Sequence, residues 1–256
     1  MDIPFEVIPS DSNSKWIVFV HGFGGSRKMF KKQVDMFKKH FNLLIIDLPG
    51  HGESCHGLAE NSKFNLNDVS KEIIQLLKNL GIKTASFIGI SLGTLVIADI
   101  ATLQPDIIDK LVLGGAICGI SGFWMSLVQM VNFLRDIIPW RISVSMFAYI
   151  MMPMKNHKKS REFMIKESIN MGKQEFKRWF SIITHEMNYM RENITNISRQ
   201  NSLFIMGSQD HVFMHNVKSL SSKYGIDLKV INKCGHVCNI EKSQEFNKVA
   251  LNYLLD

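Results

Sequence analysis

Cysteine and proline are scarce in this sequence: its 256 residues include four cysteines and six prolines. The cysteines stand at the scattered positions 55, 118, 234 and 238, which excludes a small disulfide-rich scaffold and is typical of a reducing compartment. The first residues also lack the pattern of a secretory signal, because Met1–Glu6 contains acids and a proline where a signal has a basic segment and an apolar run. We therefore expect a cytoplasmic protein.

A strong charge of one sign is absent as well, since 30 Lys and Arg against 23 Asp and Glu give a formal net charge of +7. No basic stripe with interleaved aromatic residues occurs, so we expect no nucleic-acid partner. His211 and His215 have a spacing that can hold a metal on a helix, but no third ligand is in view, and we expect no metal site. Cys234 and Cys238 flank His236 and are interpreted as packing residues, with oxidation sensing near the histidine as the alternative.

A membrane span is one interpretation of residues 111–134, which carry no charge and are long enough to cross a bilayer. Glycine, serine and amide residues interrupt this stretch, however. They favour a buried strand at 110–115, a glycine-rich exit and the start of an apolar helix. We expect no membrane-spanning helix here.

Short apolar runs with the length of buried strands alternate with helical segments along most of the chain. These runs are 15–20, 43–46, 84–88, 110–115, 202–206 and 228–231. One of the intervening helices is expected to begin at a cap formed by Asn67 and to end at Gly81. Such alternation predicts an α/β fold, in which a mostly parallel sheet is covered by helices on both faces.

The alternation stops near residue 119 and resumes near residue 201. Helices are predicted in between, at 123–138, 142–152, 160–169 and 173–190. Ten of the fifteen methionines and three of the four tryptophans fall in this region. The pattern predicts a core formed by residues 1–118 and 199–256, with a helical cap, residues 119–198, inserted between its two parts.

The pentapeptide Gly89-Ile90-Ser91-Leu92-Gly93 lies between an apolar run and the helical segment 94–101. A strand, Gly-x-Ser-x-Gly and a helix together form the context of a nucleophile elbow, in which the serine is held out of a tight turn. The glycines are required because strand and helix come too close for a Cβ, and the Leu92 N–H opens the helix where an oxyanion would sit. The motif alone is weak evidence, because a glycine-rich turn can also simply bring a helix close to a sheet.

An acid and a histidine follow two later strands. Asp210 comes just after the run 202–206, and His236 comes a few residues after the run 228–231. The carboxyl ends of parallel strands meet at one edge of a sheet, where open α/β sheets build their sites. We therefore expect Ser91, Asp210 and His236 to lie close together.

With these residues the sequence resembles the α/β-hydrolase family over nearly the whole chain, in its single-domain form with a helical cap. The resemblance rests on five motifs in the family's order: His21–Gly25, Asp47–Ser54, Gly89–Gly93, Gly207–Asp210 and Gly235-His236. One departure is that only about fourteen residues precede the first predicted strand, which leaves room for one short strand where the family usually has a pair. The sheet is therefore expected to have about six or seven strands.

The resemblance implies a role for each residue that matches the family's motifs. Ser91 would be the nucleophile, His236 the general base and Asp210 the acid that orients the imidazole. The backbone N–H groups of Phe23 and Leu92 would form the oxyanion hole. This chemistry requires no metal and no organic cofactor.

Three further polar residues near these motifs are interpreted as scaffold. Asp47 and His51 belong to a Pro-Gly turn with local hydrogen bonds, although their position beside the site also invites a catalytic role. His21 precedes the predicted oxyanion loop and is expected to orient it.

The function predicted from this pattern is a serine hydrolase that cleaves carboxylic esters through an acyl-enzyme. Lactonases, thioesterases, carbon–carbon bond hydrolases, perhydrolases and acyltransferases use the same triad, and the sequence does not separate them. A haloalkane dehalogenase is disfavoured, because it would need a carboxylate at position 91. An alternative of another class is a small-ligand receptor or signalling partner that keeps the triad but has little turnover.

The composition of the predicted cap indicates an apolar ester of medium chain length as the substrate, since methionine and aromatic side chains adapt to irregular apolar shapes. The candidate substrate-binding residues are Trp124, Met125, Phe147 and Met151. No arginine clamp for a charged acyl group is obvious, although Arg135 or Arg141 could point inward. The alternative is that the methionines only fill the core of the cap.

A basic cluster in the same region consists of Lys155, Lys158, Lys159 and Arg161. It suggests peripheral contact of the cap with an anionic membrane surface when the substrate is lipid-like. The alternative is that these residues merely solvate the rim of the cap. The sequence does not indicate an oligomeric state.

Overall fold

The computed structural model of the chain describes residues 3–10, 15–56, 64–134 and 137–256. Within this part, seven strands form one sheet in the order β1-β3-β2-β4-β5-β6-β7. The strands are β1 (Phe5–Ile8), β2 (Trp16–Val20), β3 (Asn42–Ile46), β4 (Ala85–Ile90), β5 (Ile108–Gly114), β6 (Asn201–Gly207) and β7 (Asp227–Ile231). β1 pairs antiparallel with β3, and every other pair is parallel. The prediction of a mostly parallel sheet of about six or seven strands is confirmed.

The central strands are continuous apolar runs because helices cover both faces of a parallel sheet. All six residues of β4 are buried, and so are the last four of β2 and of β3. The register aligns the ends of the strands: Val20 pairs with Gly89, and Ile90 pairs with Gly114. The loops that leave these strands therefore emerge together along one edge.

The helices that flank the sheet are α1 (Lys31–Phe37), α2 (Leu66–Asn79), α3 (Leu92–Leu103), α10 (Met214–Tyr224), α11 (Cys238–Glu241) and α12 (Ser243–Leu255). α2 packs against α3, and α1 packs against α12. Asn65, not Asn67, caps α2: its side chain accepts the Asp68 N–H at 3.0 Å, and the Asp68 carboxylate accepts the Asn65 N–H at 3.0 Å. This reciprocal pair is a capping box, which decides between the two asparagines.

Between Gly114, where β5 ends, and Asn201, where β6 begins, the only regular secondary structure in the described residues is helical. We call them the inserted helices: α4 (Gly122–Leu134), α5 (Trp140–Met151), α6 (Lys158–Met171), α7 (Lys173–Glu186), α8 (Tyr189–Glu192) and α9 (Ile194–Ser198). The segment predicted as one helix from 173 to 190 is divided between α7 and α8. Among the described residues, no helix combines the length and apolar character needed to cross a membrane.

Candidate active site

Ser91 lies in the sharp turn between β4 and α3, with the unusual backbone angles φ 53° and ψ −116°. Few side chains tolerate a positive φ, so the surrounding structure must hold this residue in place. Glycines make the turn possible: a Cβ on Gly93 would collide with the carbonyl oxygen of Val20, and one on Gly89 would lie 2.9 Å from the backbone of Gly93. This geometry is that of a nucleophile elbow.

A chain of two hydrogen bonds joins Ser91, His236 and Asp210. The Nε2 atom of His236 lies 2.8 Å from Oγ of Ser91, and its Nδ1 atom lies 2.8 Å from Oδ2 of Asp210. The Asp210 side chain is fully buried, and that of His236 is 4% exposed. Because the carboxylate only accepts, Nδ1 carries the imidazole proton and Nε2 is free to accept the serine proton. The arrangement can activate the hydroxyl as a nucleophile.

Two backbone N–H groups occur close to Ser91: Leu92 follows it directly, and Phe23 follows Gly22, on which a Cβ would lie 3.1 Å from the Ser91 Cβ. Leu92 begins α3, and the first amides of a helix have no acceptor within it. In the loop after β2, the Gly25 amide donates to the Gly22 carbonyl at 3.0 Å, and the Gly24 amide donates to Nε2 of His51 at 3.3 Å. Within the described residues this leaves the Phe23 amide without an acceptor. The amides of Phe23 and Leu92 can therefore bind an oxyanion.

Two buried histidines, His21 and His51, hold this loop through hydrogen bonds. Nε2 of His21 accepts the Leu48 N–H at 3.0 Å, and Nδ1 of His21 lies 2.8 Å from the Gly22 carbonyl, to which it donates. The rings of His21 and His51 are 4.9 Å apart. Burial lowers the pKa of His21, although the nearby Asp47 charge opposes the shift. Burial also lowers the pKa of His51 well below its usual value, and the neighbouring His21 adds to this.

The carboxylate of Asp47 accepts hydrogen bonds from two backbone N–H groups next to the site. Oδ1 accepts the Arg27 N–H at 2.7 Å, and Oδ2 accepts the Glu53 N–H at 3.1 Å. The side-chain hydrogen bonds of Asp47, His21 and His51 all go to backbone groups of the segments 22–27 and 47–53, which agrees with a scaffold role.

Ser91 and His236 both line one cavity. Its walls are mostly apolar and come from the loop after β2, the strand ends and the inserted helices. The lining residues are Gly22, Phe23, Gly24, Met29, Ile90, Ser91, Ile117, Val128, Phe147, Met151, Ser160, Phe163, Met164, Ile183, Met187, Phe213, His236 and Val237. Such a cavity suits an apolar group attached to a bond that Ser91 can attack.

Of the four residues proposed to bind substrate, two line this cavity and two do not. Phe147 and Met151 are on the buried side of α5 and belong to the lining. Trp124 and Met125 do not: the Trp124 ring packs at 5.0 Å against His211. For these two the prediction does not match the cavity lining, because α4 presents Val128, from the next turn, to the cavity.

Several lining residues had no signal in the sequence, since only the packing of the inserted helices brings them to the site. They include Phe163, Met164, Ile183 and Met187. Phe213 is different: it stands three residues after Asp210, donates its N–H to Oδ1 of that residue at 3.2 Å, and places its ring 5.2 Å from the His236 ring. Its position in the loop after β6 could have identified it.

The charged residues of the inserted helices lie away from the cavity lining in the described structure. Arg161 is buried and donates to the carbonyls of Met152 at 2.5 Å and Met154 at 3.1 Å. Contrary to the prediction, it is therefore not part of an exposed basic cluster. Arg141 is exposed, and Arg135 lies outside the described residues. An arginine clamp therefore does not form among the described residues.

The described cysteines, Cys118, Cys234 and Cys238, are free and buried. Burial raises the pKa of each thiol, which disfavours the reactive thiolate. This agrees with a packing role. No group of three or more potential metal-ligating side chains is found among the residues that the structure describes.

Comparison with known proteins places this chain in a family. Residues 15–143 match the family described as alpha/beta hydrolase fold. The (E)-2-((N-methylformamido)methylene)succinate hydrolase of Acinetobacter baylyi is 29% identical over 100 residues, which are 39% of this chain and 37% of that protein. The pimeloyl-[acyl-carrier protein] methyl ester esterase of Vibrio vulnificus is 34% identical over 96 residues, 38% of this chain and 34% of that protein. Each match spans well under two thirds of the relative's length.

The solved structure of an enol-lactonase from Burkholderia xenovorans is similar over 99% of this chain and 96% of that one, with a TM-score of 0.78 and 20% identity. At this identity the likeness concerns the fold alone. The strand order, the nucleophile elbow and the matched segment agree with one another. The chain belongs to the α/β hydrolase fold family.

Proposed function

We propose that this protein is a serine hydrolase that cleaves carboxylic esters of apolar, medium-chain acyl groups, with Ser91, His236 and Asp210 as its catalytic triad. The observation that carries the proposal is the pair of 2.8 Å contacts that joins the three side chains at the floor of an apolar cavity. The match to the hydrolase family and the esterase named among the relatives support it.

Acylation begins when Oγ of Ser91 attacks the ester carbonyl and its proton moves to Nε2 of His236. Asp210 stabilises the imidazolium without taking its proton. The amides of Phe23 and Leu92 bind the oxyanion of the tetrahedral intermediate. When the intermediate collapses, the carbon–oxygen bond to the alcohol breaks and His236 gives its proton to the leaving alkoxide.

Deacylation repeats these steps with water as the nucleophile. His236 takes a proton from water, the hydroxide attacks the acyl-enzyme carbonyl, and Ser91 Oγ leaves with the proton that His236 returns. The products are the carboxylic acid and the free enzyme. No step draws on a group other than substrate, water and these residues.

We further propose that residues 119–198 form a cap over a core made of residues 1–118 and 199–256, with the acyl group bound between them. Support comes from the cavity, whose walls combine Phe147 and Met151 of α5 with Phe23 and Ile90 of the core. A substrate would therefore touch both parts of the chain.

Peripheral membrane contact of the cap is a separate proposal. Exposed apolar side chains on α4 support it, with Phe123 68% and Phe133 70% exposed, and so do the exposed Lys155 and Lys159. Co-sedimentation with vesicles of anionic and of zwitterionic lipid tests it. We expect binding that weakens when both phenylalanines are replaced by serine, and unchanged sedimentation would contradict it.

The test of the proposed function is covalent labelling together with a substrate panel. A fluorophosphonate should label the protein once, at Ser91, and Ser91→Ala should abolish labelling while the fold is retained. p-Nitrophenyl esters of two to sixteen carbons, run beside a thioester and a lactone, separate an esterase from the other triad enzymes. Many turnovers with esters support the proposal, whereas a single turnover would favour a ligand receptor that keeps the triad.

A further inference from the structure

A second cluster of buried polar groups lies just outside the triad, where the inserted helices meet the sheet. We call it the His157 cluster, and its members are His157, Ser160, Gln209, Gly235 and Glu241. His157 precedes α6 and is fully buried, Ser160 is 1% exposed, and the Glu241 side chain is 3% exposed. Their hydrogen bonds connect three separate parts of the chain.

Glu241 joins α6 to the loop that carries His236. Its Oε2 atom accepts the Gly235 N–H at 2.6 Å, and its Oε1 atom accepts the Ser160 hydroxyl at 2.7 Å. A carboxylate that accepts a backbone N–H makes a strong, well-directed bond. The backbone immediately before His236 is therefore fixed by a side chain that is itself held by an inserted helix.

His157 joins the same helix to the loop that carries Asp210. Its Nδ1 atom accepts the Met154 N–H at 3.4 Å, which leaves the proton on Nε2, and Nε2 donates to Oε1 of Gln209 at 3.1 Å. Oε2 of Glu241 lies 3.8 Å from the same nitrogen. His157 thus touches both the residue before Asp210 and the carboxylate that holds the residue before His236.

The two catalytic loops also touch each other, and His157 lies so close to the second of them that glycine is required at position 235. The Gln209 N–H donates to the Cys234 carbonyl at 2.8 Å. A Cβ on Gly235 would lie 2.7 Å from Nε2 of His157, which is too close for any real contact. The ring therefore packs directly on the backbone that positions His236.

We propose that His157 and Glu241 are positioning residues for the triad: where the start of α6 meets α11, they set the spacing between the loops that carry Asp210 and His236. The proposal rests on the proposed function of the triad and adds residues that touch neither substrate nor reacting atoms. A displacement of about 1 Å in a catalytic group can cost about a hundredfold in rate. Loss of these contacts should therefore lower kcat much more than it changes KM.

Glu241→Ala and Glu241→Gln form the matched pair of variants. Alanine removes both acceptors. Glutamine keeps both contacts, because its oxygen can accept the Gly235 N–H while its NH₂ group donates to the Ser160 oxygen. The Ser160 hydroxyl can then still donate to the His157 carbonyl at 2.9 Å. Asn247→Ala is the control for loss of a buried polar side chain: Asn247 donates to the Lys32 carbonyl at 2.8 Å and accepts from Gln33 at 2.7 Å, away from the triad.

We expect Glu241→Ala to lower kcat for p-nitrophenyl butyrate by about ten- to a hundredfold with KM within about twofold of wild type. Glu241→Gln should stay within about threefold of wild type, and Asn247→Ala should lower Tm but leave kcat within the same range. His157→Ala should resemble Glu241→Ala, and it carries the test if the latter does not fold. Wild-type kcat in both alanine variants, or an equal loss in Glu241→Gln or Asn247→Ala, would overturn the proposal.

A proton NMR measurement separates this proposal from the proposed function. The His236 Nδ1 proton, hydrogen-bonded to Asp210, should give a downfield resonance in wild type and in Glu241→Gln that is lost or shifted in Glu241→Ala. This readout needs no substrate. If wild type shows no ester turnover but the resonance responds in this way, the esterase proposal fails and the positioning role stands. An unchanged resonance in both Glu241→Ala and His157→Ala contradicts the positioning role whatever the activity.

Discussion

The carboxylate of Asp210 holds His236 with one oxygen and the backbone of its own loop with the other. Oδ2 lies 2.8 Å from Nδ1 of His236, and Oδ1 accepts the Phe213 N–H at 3.2 Å. The bond to the Phe213 N–H fixes the plane of the Asp210 carboxylate. The carboxylate in turn fixes the orientation of the His236 imidazole. The tautomer that can accept the Ser91 proton is thereby selected.

Asp210→Asn should lower kcat for ester hydrolysis by several orders of magnitude, about 10⁴ by the precedent of the serine protease triad. The reason is that the amide can donate to Nδ1 and so favour the wrong tautomer, with little change in shape. Steady-state kinetics with p-nitrophenyl butyrate measure the effect, and circular dichroism checks the fold.

Asp47→Asn is the matched control, because Asp47 is equally buried and its carboxylate contacts Arg27 and Glu53 rather than His236. It should cost about 1–3 kcal/mol in the free energy of unfolding, as expected for a weakened buried acceptor, and should change kcat little. A large loss of kcat in Asp47→Asn with near-normal turnover in Asp210→Asn would identify Asp47 as the orienting acid.

Gly93→Ala should prevent stable folding or lower Tm sharply, because the new methyl group would collide with the carbonyl oxygen of Val20 in the neighbouring strand. Gly122→Ala is its control, since nothing lies within 4 Å of a Cβ there. That change, in the first turn of α4, should be neutral or stabilising by up to about 1 kcal/mol. Thermal unfolding followed by circular dichroism compares them, and equal Tm values would mean that the elbow is less tightly packed than described.

The two buried histidines, His21 and His51, make the stability of the fold depend on pH. Burial lowers the pKa of His21 and of His51, so the unfolded chain binds protons more readily than the folded one. The free energy of unfolding should therefore fall as pH drops below about 6.5, by up to about 1.4 kcal/mol per pH unit for each histidine. Urea unfolding between pH 8 and pH 5 measures this slope.

His51→Gln should make that slope shallower, although the variant should be less stable at pH 8, where it loses the contact of the His51 ring with Trp179 at 5.3 Å. Glutamine keeps an acceptor for the Gly24 amide and removes one titrating group. A slope as steep as that of wild type in His51→Gln would mean that other groups, not this histidine, set the acid sensitivity.

The parallel strands of the sheet could be predicted from the sequence, because strands that are buried on both faces appear as uninterrupted apolar runs. It left room for one short strand before residue 15 but did not locate β1, whose first three residues are all exposed. It also placed the cap of α2 at Asn67, because two asparagines stand two residues apart and only the reciprocal bonds with Asp68 decide for Asn65. Local sequence therefore indicated which elements form but not where an exposed element begins.

The positions of Ser91, Asp210 and His236 could be predicted because each follows a strand and topology brings strand ends together. The cavity could not be predicted in the same way. Which side of α4 or α5 faces Ser91 depends on how the inserted helices pack, and their sequences are apolar on more than one side. For the same reason the sequence did not separate Trp124, which lies outside the cavity lining, from Met151, which belongs to it.

Met151 and Met152 are neighbours with different surroundings, which allows a sharp test of the substrate proposal. Both are buried, at 5% and 0% exposure, but only Met151 lines the cavity. Either change to alanine should cost about 2–5 kcal/mol in stability through the cavity it leaves. Only Met151→Ala should enlarge the substrate cavity and move the preference toward longer acyl chains.

The measurement is kcat/KM for p-nitrophenyl esters from acetate to hexadecanoate. In wild type we expect values to rise from acetate by about fourfold for each CH₂ that the cavity buries, because burial of one CH₂ contributes about 0.8 kcal/mol, with a maximum between butyrate and octanoate. The octanoate-to-butyrate ratio should rise in Met151→Ala and stay at the wild-type value in Met152→Ala. Acetate as the best wild-type substrate, or equal ratios in the two variants, would contradict an apolar medium-chain acyl group while leaving Ser91 hydrolysis intact.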